Sequence, residues 1–277
     1  MRSIISPARL AGCAVIEGQS YPANESCLPQ VEIREGRYTL RFARNRQELD
    51  AVLKLRFEVF NMELGEGLES SFQTGRDQDE FDLACHHLLV IETGGEKIVG
   101  TYRVQTAGMA GRANGFYSAG EFDLSLLPES VLEESIELGR ACIAREHRNT
   151  QVLFLLWKGI AAYMLHNRKR YLFGCCSLKS QDAREGLAVM ELLERASHMH
   201  STFKAAPRAG FECIPDQAPP DGAITASIPK LFRTYLRFGA RVCSPPAIDR
   251  QFKTIDFLVI FDVAEMDAQS QRVFFGA

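Results

Sequence analysis

No CxxC pair and no zinc-ligand spacing occurs among the 8 cysteines, which are scattered at Cys13, Cys27, Cys85, Cys142, Cys175, Cys176, Cys213 and Cys243. Such scatter speaks for reduced, mostly buried thiols in a cytosolic protein, with no metal site. GxSxG, P-loop and GxGxxG motifs are missing, and no histidine is followed five residues later by aspartate. Their absence removes the commonest hydrolase, NTPase and dinucleotide-binding readings, together with O-acyltransferases acting on glycerol phosphate. Long apolar runs are missing too: the longest, Val152 to Trp157, falls far below the roughly 20 residues of a membrane-spanning helix. Arg2 and Arg9 interrupt the apolar residues of the amino terminus, which has no stretch of signal-peptide length. A cytoplasmic protein is expected, one that would meet a membrane only by lying on it. With a formal net charge of -3 there is no global basic field, so nucleic acid is not an expected partner and any anionic partner must meet a local patch.

What is present is an ordinary globular chain: 277 residues, 46% hydrophobic and 24% charged, enough to bury a sizeable core in one α/β domain. Residues 1–36 show weak periodicity and read as a loosely held arm, leaving 37–277 as the domain. Alternation predicts a strand over Arg37 to Ala43, and helical spacing predicts a helix over Arg46 to Phe60. Glu63 to Glu80 reads as a long loop. His86 to Glu92 and Lys97 to Gln105 read as a hairpin around Gly94-Gly95-Glu96. Strand Ser135 to Ala144, helix Thr150 to His166 and strand Tyr171 to Ser177 make a unit that requires locally parallel pairing. Arg184 to His200 and Pro229 to Phe238 are predicted helices, 201–229 is irregular, and Ile255 to Val263 is a last strand. The sheet is therefore mixed, an α+β arrangement flanked by helices.

The most informative segment is Glu137-Leu138-Gly139-Arg140 inside an apolar strand. Residues three apart in a regular strand face opposite sides. A β-bulge at Gly139 would bring Glu137 and Arg140 to one side and free a backbone N–H able to polarise a thioester carbonyl. Glu137 would then hold or deprotonate an incoming ammonium, directly or through water. The alternative is a structural ion pair at a sheet edge. Arg103 either faces solvent or joins Arg56 in binding a carboxylate or phosphate. Asp79 and Asp82 either hold a cationic substrate group or serve turn and cap chemistry. Lys158, Arg168, Lys169 and Arg170, read as a cluster at the carboxyl end of the 150–166 helix, either complement the helix dipole or, with Arg148, dock a small acidic protein such as acyl carrier protein. Cys175-Cys176 read as buried structural thiols.

Ordered segments then carry a resemblance: Leu55-Arg56-Phe57-Glu58-Val59-Phe60, Asp79-Glu80-Phe81-Asp82, Val99-Gly100-Thr101-Tyr102-Arg103, Glu121-Phe122-Asp123, Glu137-Leu138-Gly139-Arg140, Leu156-Trp157-Lys158-Gly159-Ile160, and Pro246-Ala247-Ile248-Asp249. From about residue 37 to 263 the chain resembles the ornithine-acyl-ACP N-acyltransferase (hemolysin-like) branch of the GNAT superfamily, related to N-acyl amino acid synthases and acyl-homoserine-lactone synthases. The resemblance implies a GNAT-like fold with splayed central strands and a site lined by Arg56, Phe60, Asp79, Asp82, Arg103, Glu137 and Arg140. It also implies no bound cofactor, with acyl-phosphopantetheine of acyl carrier protein as donor substrate and ornithine as acceptor. The product is then lyso-ornithine lipid, made near the inner membrane surface. GNAT enzymes that use coenzyme A carry a glycine-rich loop cradling a pyrophosphate at a helix start. The equivalent stretch here, Arg145 to Leu153, has no glycine, which fits a donor with a single phosphate. Rival readings are acylation of another amino acid, synthesis of a quorum signal, and a non-catalytic lipid-binding or membrane-active protein.

Overall fold

The computed structural model describes residues 20–94, 97–215 and 227–276. In chain order its elements are β1 (Glu32–Glu35), β2 (Tyr38–Phe42), α1 (Arg46–Phe57), α2 (Ser71–Thr74), β3 (His86–Glu92), β4 (Lys97–Thr106), α3 (Ala107–Gly111), β5 (Phe122–Asp123), α4 (Glu129–Glu133), β6 (Ser135–Ile143), α5 (Thr150–Asn167), β7 (Tyr171–Leu178), α6 (Ala183–Arg195), β8 (Ala206–Pro207), α7 (Lys230–Arg237), β9 (Arg241–Val242), β10 (Ala247–Asp249), β11 (Thr254–Asp262) and α8 (Ala268–Phe275). The main sheet runs β1-β2-β3-β4-β6-β7-β11-β10, with β9 on β11. Only β6 and β7 pair in parallel; the other neighbours are antiparallel.

Helices cover both faces of this sheet, which is why β3 reads as a nearly unbroken apolar run. Leu89 packs with Leu49, Val52 and Leu53 of α1, whereas Leu88 and Val90 pack with Leu155, Leu156 and Ile160 of α5. Each such fully buried side chain contributes about 1.5–3 kcal/mol. α5 begins cleanly because the Asn149 side chain accepts a hydrogen bond from the Val152 N–H (3.0 Å). It lies so close to β2 and β3 that a Cβ on Gly159 would stand 2.2 Å from Leu88. Beyond Phe57, α1 continues as a π-helical stretch, Glu58–Leu64, which delivers Phe60 and the following loop to the centre of the molecule.

Two expectations change here. Within 20–36, the segment read as a loose arm is anchored: Tyr21 and Leu28 are buried, His86 Nε2 donates to the Ala23 carbonyl (2.6 Å), and β1 pairs with β2. Backbone hydrogen bonding, which apolar periodicity does not register, holds it; residues 1–19 lie outside the described residues, as do Gly95 and Glu96 of the hairpin turn and 216–226 of the irregular segment. Helix α6 ends at Arg195, short of the expected His200, because Met199 bridges to Val242. Among the described residues no helix is long and apolar enough to cross a membrane, and all seven described cysteines are free thiols.

Candidate active site

Strands β6 and β7 pair only over Ser135–Glu137 and Tyr171–Phe173, and then part. At the parting point a Cβ on Gly174 would stand 2.2 Å from the Leu138 carbonyl oxygen, so only glycine fits there. On its other side β6 pairs with β4 out of step: Cys142 opposes Thr101 and Gly139 opposes Arg103, leaving Arg140 and Ala141 against the single residue Tyr102. This is the expected bulge, displaced by one position, for the left-handed residue is Arg140 (φ 50°) and not Gly139. Glu137 accepts a hydrogen bond from the Tyr117 backbone N–H and Arg140 stands against the Tyr117 ring, but of the two only Arg140 lines the cavity described next.

A cavity of about 290 Å³ opens through the splay, walled by Leu138 to Ala141 of β6 and Leu172 to Ser177 of β7. One end is apolar, formed by Trp157, Ile160 and Met164 of α5 with Tyr235, Phe238 and Phe274; the Trp157 ring meets Phe238 edge-on at 4.6 Å. The other end carries Glu66, Tyr117, Arg140, Ser177 and Asp256. Along β11, Ile255 and Phe257 pack with Phe232 of α7, whereas Leu258 and Ile260 pack with Phe122 and Phe173. Alternation therefore places Asp256 on the face opposite α7. The cavity thus passes from an apolar lobe on one face of the sheet to an acidic one on the other.

Beside it lies a closed ionic network. Arg56 donates to Asp77 (2.7 Å) and Asp82 (2.6 Å); Arg103 donates to Asp79 (2.6 Å) and Asp82 (3.0 Å); Arg140 donates to Asp79 (3.1 Å) and stands 3.3 Å from Asp77. Burial alone would raise the Asp82 carboxyl, but Arg56 and Arg103 outweigh it and hold the group well below the usual carboxylate range. This corrects two expectations. Arg56, with Arg103, does not present its guanidinium to a substrate anion, and the cations held by Asp79 and Asp82 are the protein's own arginines, because six opposite charges this deeply buried must neutralise one another. Of the six, only Arg140 lines the cavity, its guanidinium between the rings of Tyr117 (4.8 Å) and Phe252 (4.3 Å). Phe60 also lines the cavity, edge-on to Phe252.

Glu137 is placed differently from its expected position facing the amine. It accepts hydrogen bonds from Gln105 (2.6 Å), the Tyr117 and Ser118 backbone N–H groups (2.9 and 2.7 Å) and the Ser118 hydroxyl (2.7 Å). It borders only a separate hollow of about 10 Å³, room for at most one water. Cys175 and Cys176 do border the main cavity, yet burial pushes both thiols up, so neither is a thiolate nucleophile.

Neither the carboxylates that line the acidic end, Glu66 and Asp256, nor the two beside Asp256 were anticipated. Glu121, Asp249 and Asp256 offer oxygens within 4.8 Å of one another, all three buried, an arrangement able to hold a cation. Burial, then the neighbouring Asp256 and Asp249, push Glu121 well above the carboxylate range; Asp256 is also raised, chiefly by burial. Glu66, in the loop after the π-helical stretch, is pushed up to about 7, first by burial and then by Asp256, against a lowering from Lys179. The available signal was Asp256 itself, a carboxylate inside the apolar strand Thr254–Asp262.

The basic residues expected to form one docking cluster are separated and mostly paired. Lys158 is mid-helix in α5 and bonds Glu35; about ten residues of helix, roughly 15 Å, separate it from Arg168. Lys169 donates to the Glu133 carbonyl (2.5 Å) and Arg170 to Asp262 (2.6 Å), at the closed end of the splay, and Arg168 there is exposed. Arg148 lies at the open end, donating to the Ile143 carbonyl (3.0 Å) and pairing with Glu63 (2.6 Å).

An acetyltransferase (GNAT) domain family matches residues 55–158. An L-ornithine N(alpha)-acyltransferase of Rhizobium meliloti is 31% identical over 83% of this chain and 81% of its own length. The protein of the same name from Brucella abortus is 33% identical over 85% and 88%. The solved structure of FeeM, an N-acyl amino acid synthase from uncultured soil microbes, is 11% identical, with a TM-score of 0.48 over 85% of this chain and 97% of its own.

Proposed function

The chain belongs to the GNAT acyltransferase family that includes the L-ornithine N(alpha)-acyltransferases, and from that premise we propose that it moves a (3-hydroxy)fatty acyl group from acyl carrier protein to the α-amine of ornithine. The observation that carries this reading is the cavity through the β6–β7 splay, apolar at one end and acidic at the other. A fatty chain gains about 0.8 kcal/mol per buried methylene in the Trp157 lobe. An amino acid with a cationic arm suits the lobe of Glu66 and Asp256.

In this account the thioester lies against Gly139 to Ala141, where two residues of the bulge lack register partners on β4. The neutral α-amine attacks the carbonyl carbon; the C–N bond forms, the C–S bond breaks, and the thiolate leaving group takes up a proton. Backbone amides of the bulge hold the oxyanion. Glu66, whose side chain lines the cavity, takes the ammonium proton; with a pKa of about 7 it is matched to that task. Arg140 receives the α-carboxylate, and Arg103, at 5.3 Å from the Tyr117 ring, positions that ring from behind. Glu137 is a positioning residue that fixes Tyr117 and Ser118. The donor is assigned to acyl carrier protein because the turn Arg145–His147 and the Asn149 cap present no glycine cradle for a pyrophosphate. Arg148 at the open end is the docking cation this reading retains. The product is amphiphilic, so release at the inner membrane surface follows naturally.

Purified protein given 3-hydroxyacyl-ACP and ornithine, with products read by mass spectrometry, should yield Nα-acylornithine. Acylation from acyl-CoA but not from acyl-ACP would overturn the donor assignment.

A further inference from the structure

We propose that Glu121, Asp249 and Asp256 form the subsite that receives the distal ammonium of a diamino acid acceptor, an inference that rests on the acyl-transfer reading above and gives it a specificity determinant. Three elements converge there: Glu121 stands immediately before β5, Asp249 ends β10 and Asp256 lies in β11. Glu121 and Asp256 are only 4% and 3% exposed, yet both Glu121 oxygens and Asp256 Oδ1 accept no hydrogen bond among the described residues. No ion pair of the described residues involves any of the three. The contrast is with the adjacent network, where Asp77, Asp79 and Asp82 each pair with arginine. Burial without a paired cation favours the neutral acids, and Glu121 and Asp256 are both pushed up, so a cation entering between their open oxygens would restore the charged, hydrogen-bonded state.

The remaining oxygens of the cluster are already used. Asp249 Oδ1 accepts from the Gln251 and Phe252 backbone N–H groups (2.8 and 2.9 Å), its Oδ2 accepts from the Tyr117 hydroxyl (3.4 Å), and Asp256 Oδ2 accepts from Thr254 (3.0 Å). What stays open is a small set of acceptors, matching the donors of a primary ammonium, whereas Ca²⁺ or Mg²⁺ requires about six or more oxygens. Of the three carboxylates Asp256 alone lines the cavity, together with Tyr117 and Arg140, and Glu121 and Asp249 stand beside it within 4.8 Å. An acceptor whose α-carboxylate meets Arg140 therefore directs its arm toward the carboxylates and leaves its α-amine at the bulge. Protonated Glu121 can donate to Asp256 until the ammonium takes the place of that proton.

The test compares ornithine with norvaline, which keeps the carbon arm and lacks the ammonium. Wild-type protein should prefer ornithine in kcat/KM, and Glu121→Gln should shrink that ratio by about 10- to 100-fold, the value of a buried hydrogen bond to a charge. Asp256→Asn is the second variant should Glu121→Gln fail to fold. Thermal shift by ornithine reads the subsite without turnover: ornithine should raise Tm of wild-type protein and not of either variant. A ratio and an ornithine shift that both variants retain would overturn the proposal, as would a Tm rise with Mg²⁺ or Ca²⁺ alone that both variants abolish. An intact ornithine shift in a protein that acylates nothing would instead sink the acyl-transfer reading and leave the subsite standing.

Discussion

Gly174→Ala tests whether the parting of β6 and β7 is built by one glycine. The added Cβ would stand 2.2 Å from the Leu138 carbonyl oxygen, whereas a relaxed carbon–oxygen contact is about 3.3 Å. The strands must therefore move apart by about 1 Å, and the atom in the way is backbone, which cannot rotate aside. Overpacking of this kind costs about 1–3 kcal/mol. For a chain of this size that lowers Tm by about 4–8 °C at the middle of the range. The movement falls on the cavity wall, where a 1 Å misplacement can reduce kcat/KM by about 100-fold. Gly111→Ala, whose Cβ meets nothing within 4 Å, is the control and should leave Tm equal or slightly higher. Scanning calorimetry and steady-state acyl transfer on both variants decide the matter. Wild-type Tm and kcat/KM in Gly174→Ala would refute the claim that this contact sets the splay.

Glu66→Gln should remove a rising limb near pH 7 from the kcat/KM profile, because only the ionised carboxylate accepts the amine's proton and its pKa is pushed up to about 7. The same raised pKa means that Glu66 supports stability at low pH and loses that support as pH climbs from the ordinary 4.5 through about 7; the Glu66→Gln melting curve should therefore depend less on pH across this window. Arg56→Met leaves Asp77 and Asp82 short of a countercharge in the core and should cost about 3–5 kcal/mol, seen as a shift in denaturant midpoint. Shortening the acyl chain of the donor by two methylenes should lower kcat/KM by about 15-fold, from about 1.6 kcal/mol of lost burial; a flat chain-length profile would show that the Trp157 lobe does not bind it.

The sheet was legible because its patterns are local. Alternation in β2, the helical spacing of Val152, Leu155, Leu156 and Ile160 in α5, and the apolar runs of β3 and β7 are each visible without reference to the rest of the chain. β1 escaped notice because its residues Glu32–Glu35 are at most half-buried at the sheet edge. The bulge was legible from two charges in an apolar strand, though its position was not: Arg140 and not Gly139 takes the left-handed backbone, held there by Asp79 and by the Tyr117 and Phe252 rings. Arg56, Arg103, Asp79 and Asp82 were recognisable as belonging to the site's neighbourhood. Their mutual neutralisation was not, since it joins α1, the loop before β3, and β4 across 21 to 26 positions. Asp249 and Asp256 are neighbours across the β10–β11 pair, but Glu121 comes to them from more than 120 positions away.

The most direct measurement follows both products of one turnover. With 3-hydroxyacyl-ACP and ornithine, free carrier-protein thiol and Nα-acylornithine should appear together in equal amounts, and neither should accumulate when ornithine is withheld. Thiol release without an amide product, or no release with any amino acid offered, would contradict the account.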